Sequence, residues 1–540
     1  MAKRKRENAD NAAAPKALKS RKNEVASAPK QAEAKEVAIR KRKEGATNGK
    51  AAANKAATDK GTQVTPSAED SDAISDTTTI HVVTGSYERV LHGFAASIPS
   101  SLLTGQDDAS TPEADQPKVD FTDTFLFNAH ASAIRCMALS PLSDETSKIT
   151  LATGSTDERI NLYSISTAPP APSKLRPKLP SLNGGSITEN PKNKELGSLL
   201  HHSSNITALY FPTRSKLLSS AEDSTIAITR TRDWTALSTI KAPIPKPQGR
   251  PSGDTAGPGE VPSGINDFAV HPSMKLMLSV GKGEKCMRLW NLVTGKKAGV
   301  LNFDRNILTA VGEGRFSSGE GRRVIWDPEG EEFAVGFDRA LVIFNIDSKP
   351  KAKIAPFPRS KIHQMHYLPE QPQHPNTLLV STEDGRVLLY NTAETTTPED
   401  PSSSEKSKQS DIPQSKLIAQ IGGPAAGMTG RIKDFEILPL SPQRCVIVTA
   451  CSDGTVRFWA LSMADLDSKS AETANKAAAQ KGFSAPQVGT LLGSYSTGTR
   501  ITCMKAFPMT GKPDQDDEDE LVLDKEAGSE EEESSDEESE

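Results

Sequence analysis

Aromatic residues make up only 5% of the 540 residues, and no run of 18 or more apolar residues occurs. The second absence excludes a membrane-spanning helix of ordinary length. The N-terminus, MAKRKRENAD, is charged with no apolar stretch behind it, so no secretory leader is predicted and the chain is expected in cytosol or nucleus. Cysteine is sparse: Cys136, Cys286, Cys445, Cys451 and Cys503 lie in apolar strand-like runs, are odd in number and form no CxxC pair. They read as reduced core residues, not as metal ligands or disulfide partners. No nucleophile elbow, HExxH or Ser-His-Asp order appears, so an enzyme reading has no residues to carry it and no cofactor is expected.

Glycine and proline, by contrast, number 37 each and mark many turns and long loops, around a core that the 35% hydrophobic content can fill. The formal net charge of −5 hides an asymmetry, for residues 1–60 carry about +10 and residues 514–540 about −15. Residues 1–78 have too few large apolar side chains to offset their ordering entropy by burial, and are expected to be a disordered basic arm. Residues 510–540 are expected to be a disordered acidic tail for the same reason, with self-repulsion added. Three stretches, about 166–193, 241–263 and 392–413, read as loop insertions because proline at their density excludes a central strand.

Between the ends one pattern recurs seven times: ERVLHGF at 88–94, DERINLY at 157–163, DSTIAIT at 223–229, EKCMRLW at 284–290, DRALVIF at 338–344, DGRVLLY at 384–390 and DGTVRFW at 453–459. The last is nearly the WD-repeat consensus. Each copy follows a strand-like run that ends in small residues, such as LATGST at 151–156, and before that run comes another, such as AIRCMALS at 133–140 or RIKDFEIL at 431–438. Alternation of period two with β-branched enrichment makes each a strand, and the unit a four-stranded sheet. Copies are spaced by 46 to 69 residues, longer than the roughly 40–45 of an unembellished WD unit, and the insertions account for the excess.

Asp157, Asp223, Asp338, Asp384 and Asp453 fall in the tight turn between second and third strands. A carboxylate there can accept backbone and His or Ser/Thr hydrogen bonds and tie the corner of the sheet. Spread once per sheet around a ring, these residues are too far apart to serve as acid and base on one bond. His130 and His202 precede first strands, other repeats lack that His, and Thr229 stands where the others have an aromatic. No first strand precedes residue 82 in the first repeat. RITCMKAF at 500–507, which follows the fourth-strand run VGTLLGSYS at 488–496, is expected to supply it, so that both chain ends share one sheet and no open edge remains. The predicted fold is all-β: a single, monomeric, seven-bladed WD-repeat β-propeller over residues 79–509 with disordered tails.

The runs VVTGSYERVLHGFAA, LGSLLHHSSNITALYF, KLMLSVGKGEKCMRLWNLVTGK, RIKDFEI and VIVTACSDGTVRFW resemble, in order, the landmarks of a WD-repeat family that contains the fungal Mak-type factor of 60S ribosome assembly and the animal PAK-interacting protein. The resemblance implies a non-enzymatic scaffold in nucleus and nucleolus that binds pre-60S assembly factors and helps to load a basic, ribosomal-protein-like client, with rRNA a further candidate partner. It also implies an alternative, a signalling adaptor that binds and inhibits a p21-activated-type protein kinase. The animal relatives carry a Lys-rich C-terminal tail, whereas this chain is basic at its N-terminus and acidic at its C-terminus.

Other candidates have a bland reading beside the functional one. His363 and His366 form an HxxH pair, but three positions along a strand points two side chains to opposite faces, which disfavours a shared metal. The run GEGRFSSGEGRR at 312–323 lacks the terminal GK[ST] of a phosphate loop and opens a strand, so it reads as an exposed loop. Lys3, Arg4, Lys5 and Arg6 with Arg40, Lys41, Arg42 and Lys43 are compact clusters suited to nuclear import. Ser529, Ser534 and Ser535 each have Glu three residues downstream, the spacing that acid-directed kinases prefer.

Overall fold

Each recurring acidic turn joins two antiparallel strands in a computed structural model of the chain, which describes residues 77–104, 118–143, 146–169, 192–244, 263–314, 317–369, 374–396, 412–428, 430–466 and 485–510. The chain separates into Met1–Ser71 and Asp72–Glu540, and all described residues belong to the second unit.

The strands form six sheets among the described residues. β1 (Thr77–Ser86), β2 (Val90–Pro99) and β3 (Asp120–Asn128) open the chain, followed by β4 (Ile134–Leu139), β5 (Lys148–Ser155), β6 (Ile160–Ser166) and β7 (Lys194–Leu199). The third group is β8 (Ile206–Thr213), β9 (Lys216–Ala221), β10 (Thr225–Arg230) and β11 (Ala236–Lys241). The fourth is β12 (Ile265–Val270), β13 (Leu276–Gly281), β14 (Cys286–Asn291) and β15 (Lys296–Asn302). One eight-stranded sheet contains β16 (Arg323–Trp326), β17 (Glu332–Gly336), β18 (Leu341–Asn345) and β19 (Pro350–Ile354), then β20 (Ile362–Tyr367), β21 (Thr377–Thr382), β22 (Arg386–Thr396) and β23 (Gln414–Gly422). Its two antiparallel halves meet at a single parallel pair, Lys353 with Gln414. The last group is β24 (Ile432–Ser441), β25 (Arg444–Cys451), β26 (Thr455–Ser462) and β27 (Thr490–Ser496). β28 (Ile501–Pro508) then crosses to pair antiparallel with β1, from Ile80 opposite Pro508 to Ser86 opposite Ile501.

Turn chemistry follows the sequence. In five of the acidic turns the residue directly after the acidic one takes a left-handed φ: Arg89 at 75°, Glu158 at 68°, Ser224 at 63°, Gly385 at 83° and Gly454 at 88°. The DG pairs at 384–385 and 453–454 meet that demand without steric cost, whereas the other three hold a side chain there.

Two β-bulges recur. Between third and fourth strands the register slips at the aromatic position, at Gly93/Phe94, Leu162/Tyr163, Ile228/Thr229, Leu289/Trp290, Ile343/Phe344, Leu389/Tyr390 and Phe458/Trp459. Between first and second strands it slips just after an opening isoleucine, at Ile134/Cys136, Ile206/Ala208, Ile265/Asp267, Ile362/Met365 and Ile432/Asp434, and likewise after Ile501. A bulge leaves one residue outside the ladder and re-aims its side chain.

The apolar side chains gather in seven clusters among the described residues, six of them between groups of strands consecutive in the chain and one between the first group and the last. One of them joins Ile80, Phe94 and Met504 of the sheet that holds both chain ends to Val446 and Phe458 of the β24–β27 sheet. Hydrogen bonds also cross between first strands or the residues just before them: Thr502 Oγ1 donates to Ile134 O at 2.6 Å, Asn266 Nδ2 to Gly321 O at 2.8 Å and Gln364 Nε2 to Asp434 Oδ1 at 3.3 Å.

Some boundaries differ from the sequence reading. β1 begins at Thr77, because Thr77 and Thr78 find partners in Pro99 and Ile98, so the first strand starts two residues before residue 79. β22 runs on to Thr396, past residue 392, since Thr395 and Thr396 pair with Ser415 and Gln414. The run 312–323 is not simply an exposed loop. It follows a short helix, α1 (Arg305–Ala310), whose N-cap Asp304 accepts from Ile307 N–H, and Gly319 and Gly321 are buried. All five cysteines carry free thiols, four buried and Cys136 half-buried.

Candidate functional site

The residues that the first-strand bulges push out of register converge. Arg135, Thr207, Asn266, His363, Lys433 and Thr502, each set free by the slip after its opening isoleucine, line a cavity of about 860 Å³, and Arg323 joins them from β16. Tyr87, Arg89 and Thr156 reach the same space from turns between second and third strands, so the cavity draws a residue from every group of strands. Its mouth is cationic: Arg89, Arg135, Arg322, Arg323, Lys433 and Arg500 face two carboxylates, Glu222 and Glu320.

Both carboxylates are engaged. Glu222 accepts from Asn205 Nδ2 at 3.0 Å and lies 3.6 Å from Lys282 Nζ, and Glu320 Oε2 accepts from Gly283 N–H at 2.6 Å. Arg322 is paired with Asp338 at 3.1 Å and Arg323 with Asp267 at 3.8 Å. Burial, reinforced by Lys433, Arg323, Arg431 and Lys361, pushes the His363 pKa down to about 4. The Lys433 ammonium is also held below its usual range, by burial and by Arg431, Arg500 and Lys361. Partly buried groups with like charges around them behave in this way, and such a cluster favours an anion.

The predicted corner aspartates hold the turns on the rim of this face, with partners that differ from sheet to sheet. Asp157 Oδ2 accepts from Ala131 N–H at 3.0 Å and lies 3.0 Å from His130 Nδ1, while His130 Nε2 lies 2.8 Å from Thr153 Oγ1. Asp223 repeats this with His202, Ser203 N–H and Ser219 at the far end, and also accepts from Thr225. Asp384 has no such His; Arg386 Nε donates to it at 2.9 Å, and Arg386 in turn donates to the carbonyls of Phe357 and Pro358 at 2.7 and 3.0 Å. Asp338 lies among Arg322, Arg339 and Lys361 at 3.1, 3.5 and 3.8 Å. Asp453 accepts from Thr455 N–H at 2.9 Å.

His363 and His366 part company, the first lining the cavity and the second meeting the Phe435 ring edge-on at 4.8 Å. No group of three His, Cys, Asp or Glu side chains suited to a metal occurs among the described residues. Lys3–Arg6, Arg40–Lys43, Ser529, Ser534 and Ser535 lie outside the described residues.

The cationic mouth was missed from the sequence, although a signal for it exists. AIRCMALS, RRVIWDP, KIHQMHYL, RIKDFEIL and RITCMKAF each carry a basic residue within three positions of the start. Without the bulge those residues would be assigned by alternation to one face or the other of a sheet.

A family model described as "WD domain, G-beta repeat" matches residues 121–164, 193–229 and 429–460. The chain is 25% identical over 425 residues to the p21-activated protein kinase-interacting protein 1-like protein of Danio rerio, covering 79% of this chain and 80% of that one. It is 29% identical over 409 residues to Protein MAK11 of Saccharomyces cerevisiae, covering 72% of this chain and 80% of that one. The Gallus gallus p21-activated protein kinase-interacting protein 1-like protein is 25% identical, with 79% and 80% covered. The chain is thus an all-β protein with WD40 repeats, and the resemblance read from its five runs extends to both branches of that family.

Proposed function

We propose that residues 79–509 form a single seven-bladed propeller that acts as a non-enzymatic scaffold in assembly of the large ribosomal subunit, bound to pre-60S factors and helping to load a basic, ribosomal-protein-like client. The blade count is supported by the seven apolar clusters and by the β28–β1 pairing. WD40 repeats are a protein-interaction architecture, and propellers host unrelated functions, so the assembly role rests on kinship. The observation that carries it is the similarity to Protein MAK11, which covers 72% of this chain.

The two basic clusters belong to this reading as import signals, the acidic C-terminus as an electrostatic aid that holds the client, and nucleus and nucleolus as the place of action. The test is sedimentation of tagged full-length chain. Co-migration with pre-60S particles is expected, and recovery only in light fractions that contain a kinase would replace this reading. A second reading, an adaptor that binds a p21-activated-type kinase, is favoured by the names of the vertebrate relatives, and those light fractions are where it would show.

A further inference from the structure

We infer that the mouth of the cavity is the docking site for an acidic peptide segment of a partner protein, whose carboxylates or phosphoserines sit among Arg89, Arg135, Lys433 and Arg500. The inference rests on the scaffold reading for the occupant being a protein, and deepens it by naming the occupant's chemistry and place.

Charge complementarity selects the anion. Of the six cations that line the mouth, Arg322 and Arg323 are matched by Asp338 and Asp267, while these four have no carboxylate within ion-pair distance among the described residues. Arg89 reaches only the Ala131 carbonyl, at 3.5 Å, and the Arg500 guanidinium rests over the Tyr87 ring at 5.4 Å. His363 Nε2 is buried in the same place with no hydrogen-bond partner. Four unmatched cations around a walled space focus a positive potential outward, which raises the local concentration of an acidic ligand and its rate of capture.

Apolar side chains select a peptide over a nucleic acid. The cavity opens where first strands begin, and connections that arrive from the preceding fourth strands emerge on that same side. Two of them present large exposed apolar groups, Leu200 at 70% and Phe357 at 79% exposure. The Phe357 connection is held by Arg386 through the carbonyls of Phe357 and Pro358, so this ring is displayed on an anchored loop. One anchored aromatic ring and one exposed leucine on the side where the cations open suit a peptide with an apolar residue next to an acidic run. Single-stranded RNA needs several open aromatic faces on which successive bases stack, and Tyr87, the one Phe, Tyr or Trp ring among the lining residues, has Arg500 over one face and offers at most a single platform.

The test uses purified full-length chain and a fluorescein-labelled peptide of Glu and Asp with one Leu and two serines, made with and without phosphate on the serines. Fluorescence anisotropy should show binding of the acidic peptide, tighter when phosphorylated, that weakens as salt rises. The double variant Arg135→Glu, Lys433→Glu should weaken it by at least about tenfold, while Lys296→Glu, Lys297→Glu on exposed β15 should not change it. If charge reversal unfolds the chain, the neutral pair Arg135→Gln, Lys433→Met should still weaken binding, with the midpoint of thermal unfolding unchanged. Equal affinity in every folded cavity variant overturns the inference, and so does tighter binding of an oligouridine of matched charge. Sedimentation with pre-60S particles is read separately. A wild-type chain absent from those particles defeats the assembly reading and leaves the peptide result standing, whereas unaltered peptide affinity in the variants defeats only the docking site.

Discussion

Lys505 in β28 is ion-paired with Glu436 in β24, with only 22% and 19% of their side chains exposed. The pair joins the last strand of the chain to the neighbouring sheet, beside Asp434, whose Oδ2 accepts from Met504 N–H at 3.0 Å. Burial raises the Glu436 pKa and Lys505 opposes it. Removing one partner therefore leaves an uncompensated charge, and Lys505→Met should cost toward the lower end of roughly 3–5 kcal/mol, since the site is not fully closed. The double variant Lys505→Met, Glu436→Leu should recover most of that loss. Urea midpoints of the single and double variants measure the coupling, and additive losses would show that the two charges do not depend on each other.

Truncation separates the last strand from the acidic end. Deleting 511–540 leaves every described strand in place and should leave the melting temperature unchanged. Deleting 500–540 removes β28 and strips β1 of its partner from Ile80 to Ser86, which exposes a strand edge and one flank of an apolar cluster. That chain should melt lower or be recovered as aggregate. Identical melting of both truncations would show that β28 adds nothing to the fold.

The corner aspartates should differ in worth. Asp223 accepts from Ser203 N–H, Thr225 N–H and the Thr225 hydroxyl and contacts His202, so Asp223→Ala should cost about 2–3 kcal/mol, whereas Asp453→Ala, which frees the N–H of Thr455, should cost about 1 kcal/mol. Burial acts to raise the Asp223 pKa, but the bonds from His202, Thr225 and Ser203 outweigh it and the net shift is downward. A carboxyl with a depressed folded pKa contributes its full stability above the unfolded value of about 4 and loses it as pH falls through the folded value. The gap between wild type and Asp223→Ala should be constant above about pH 5 and narrow below about pH 4. Denaturant titrations at several pH values would reveal a gap of the opposite trend.

His81 should make the fold sensitive to milder acid. Its ring is stacked at 5.1 Å on Phe507 of β28, Nε2 lies 2.9 Å from Thr124 Oγ1, and burial pushes its pKa down to about 3. The unfolded chain binds a proton near pH 6.5 that the folded chain refuses, so the stability due to the neutral ring is complete above about pH 6.5 and is lost progressively below it. His81→Phe keeps a ring against Phe125 and Phe507 and should flatten the decline in stability between about pH 6 and pH 4. An unchanged slope would assign that decline to other groups.

Several elements were readable in advance because they depend on short-range chemistry. The seven acidic turns, the strands around them and the pairing of RITCMKAF with the first strand follow from period-two alternation, turn residues and the need to close an edge. Thr229 was seen to break the aromatic position, and it is buried there with its hydroxyl unpartnered. Trp290 at the same position donates to Ser279 at 2.8 Å. The helix Arg305–Ala310 was not seen, because six residues of weak periodicity carry too little signal and Asp304 stabilises it only through one capping bond.

What the sequence by itself determined is the set of repeating units: where chain reversals fall, which residues alternate inward, and that both ends must share a sheet. Only the tertiary structure decided which basic residues meet. Arg89, Arg135, Lys433 and Arg500 are separated along the chain by 46 to more than 400 residues, and each opens its strand or turn in a setting that local pattern reads as ordinary surface. A one-residue slip after each opening isoleucine turns Arg135 and Lys433 out of the ladder, and the packing of neighbouring groups of strands on one another carries them to one space. Charge repulsion of that kind is tolerated because the β-ladders and apolar clusters behind it hold the side chains in place, and neither is a property of any single segment.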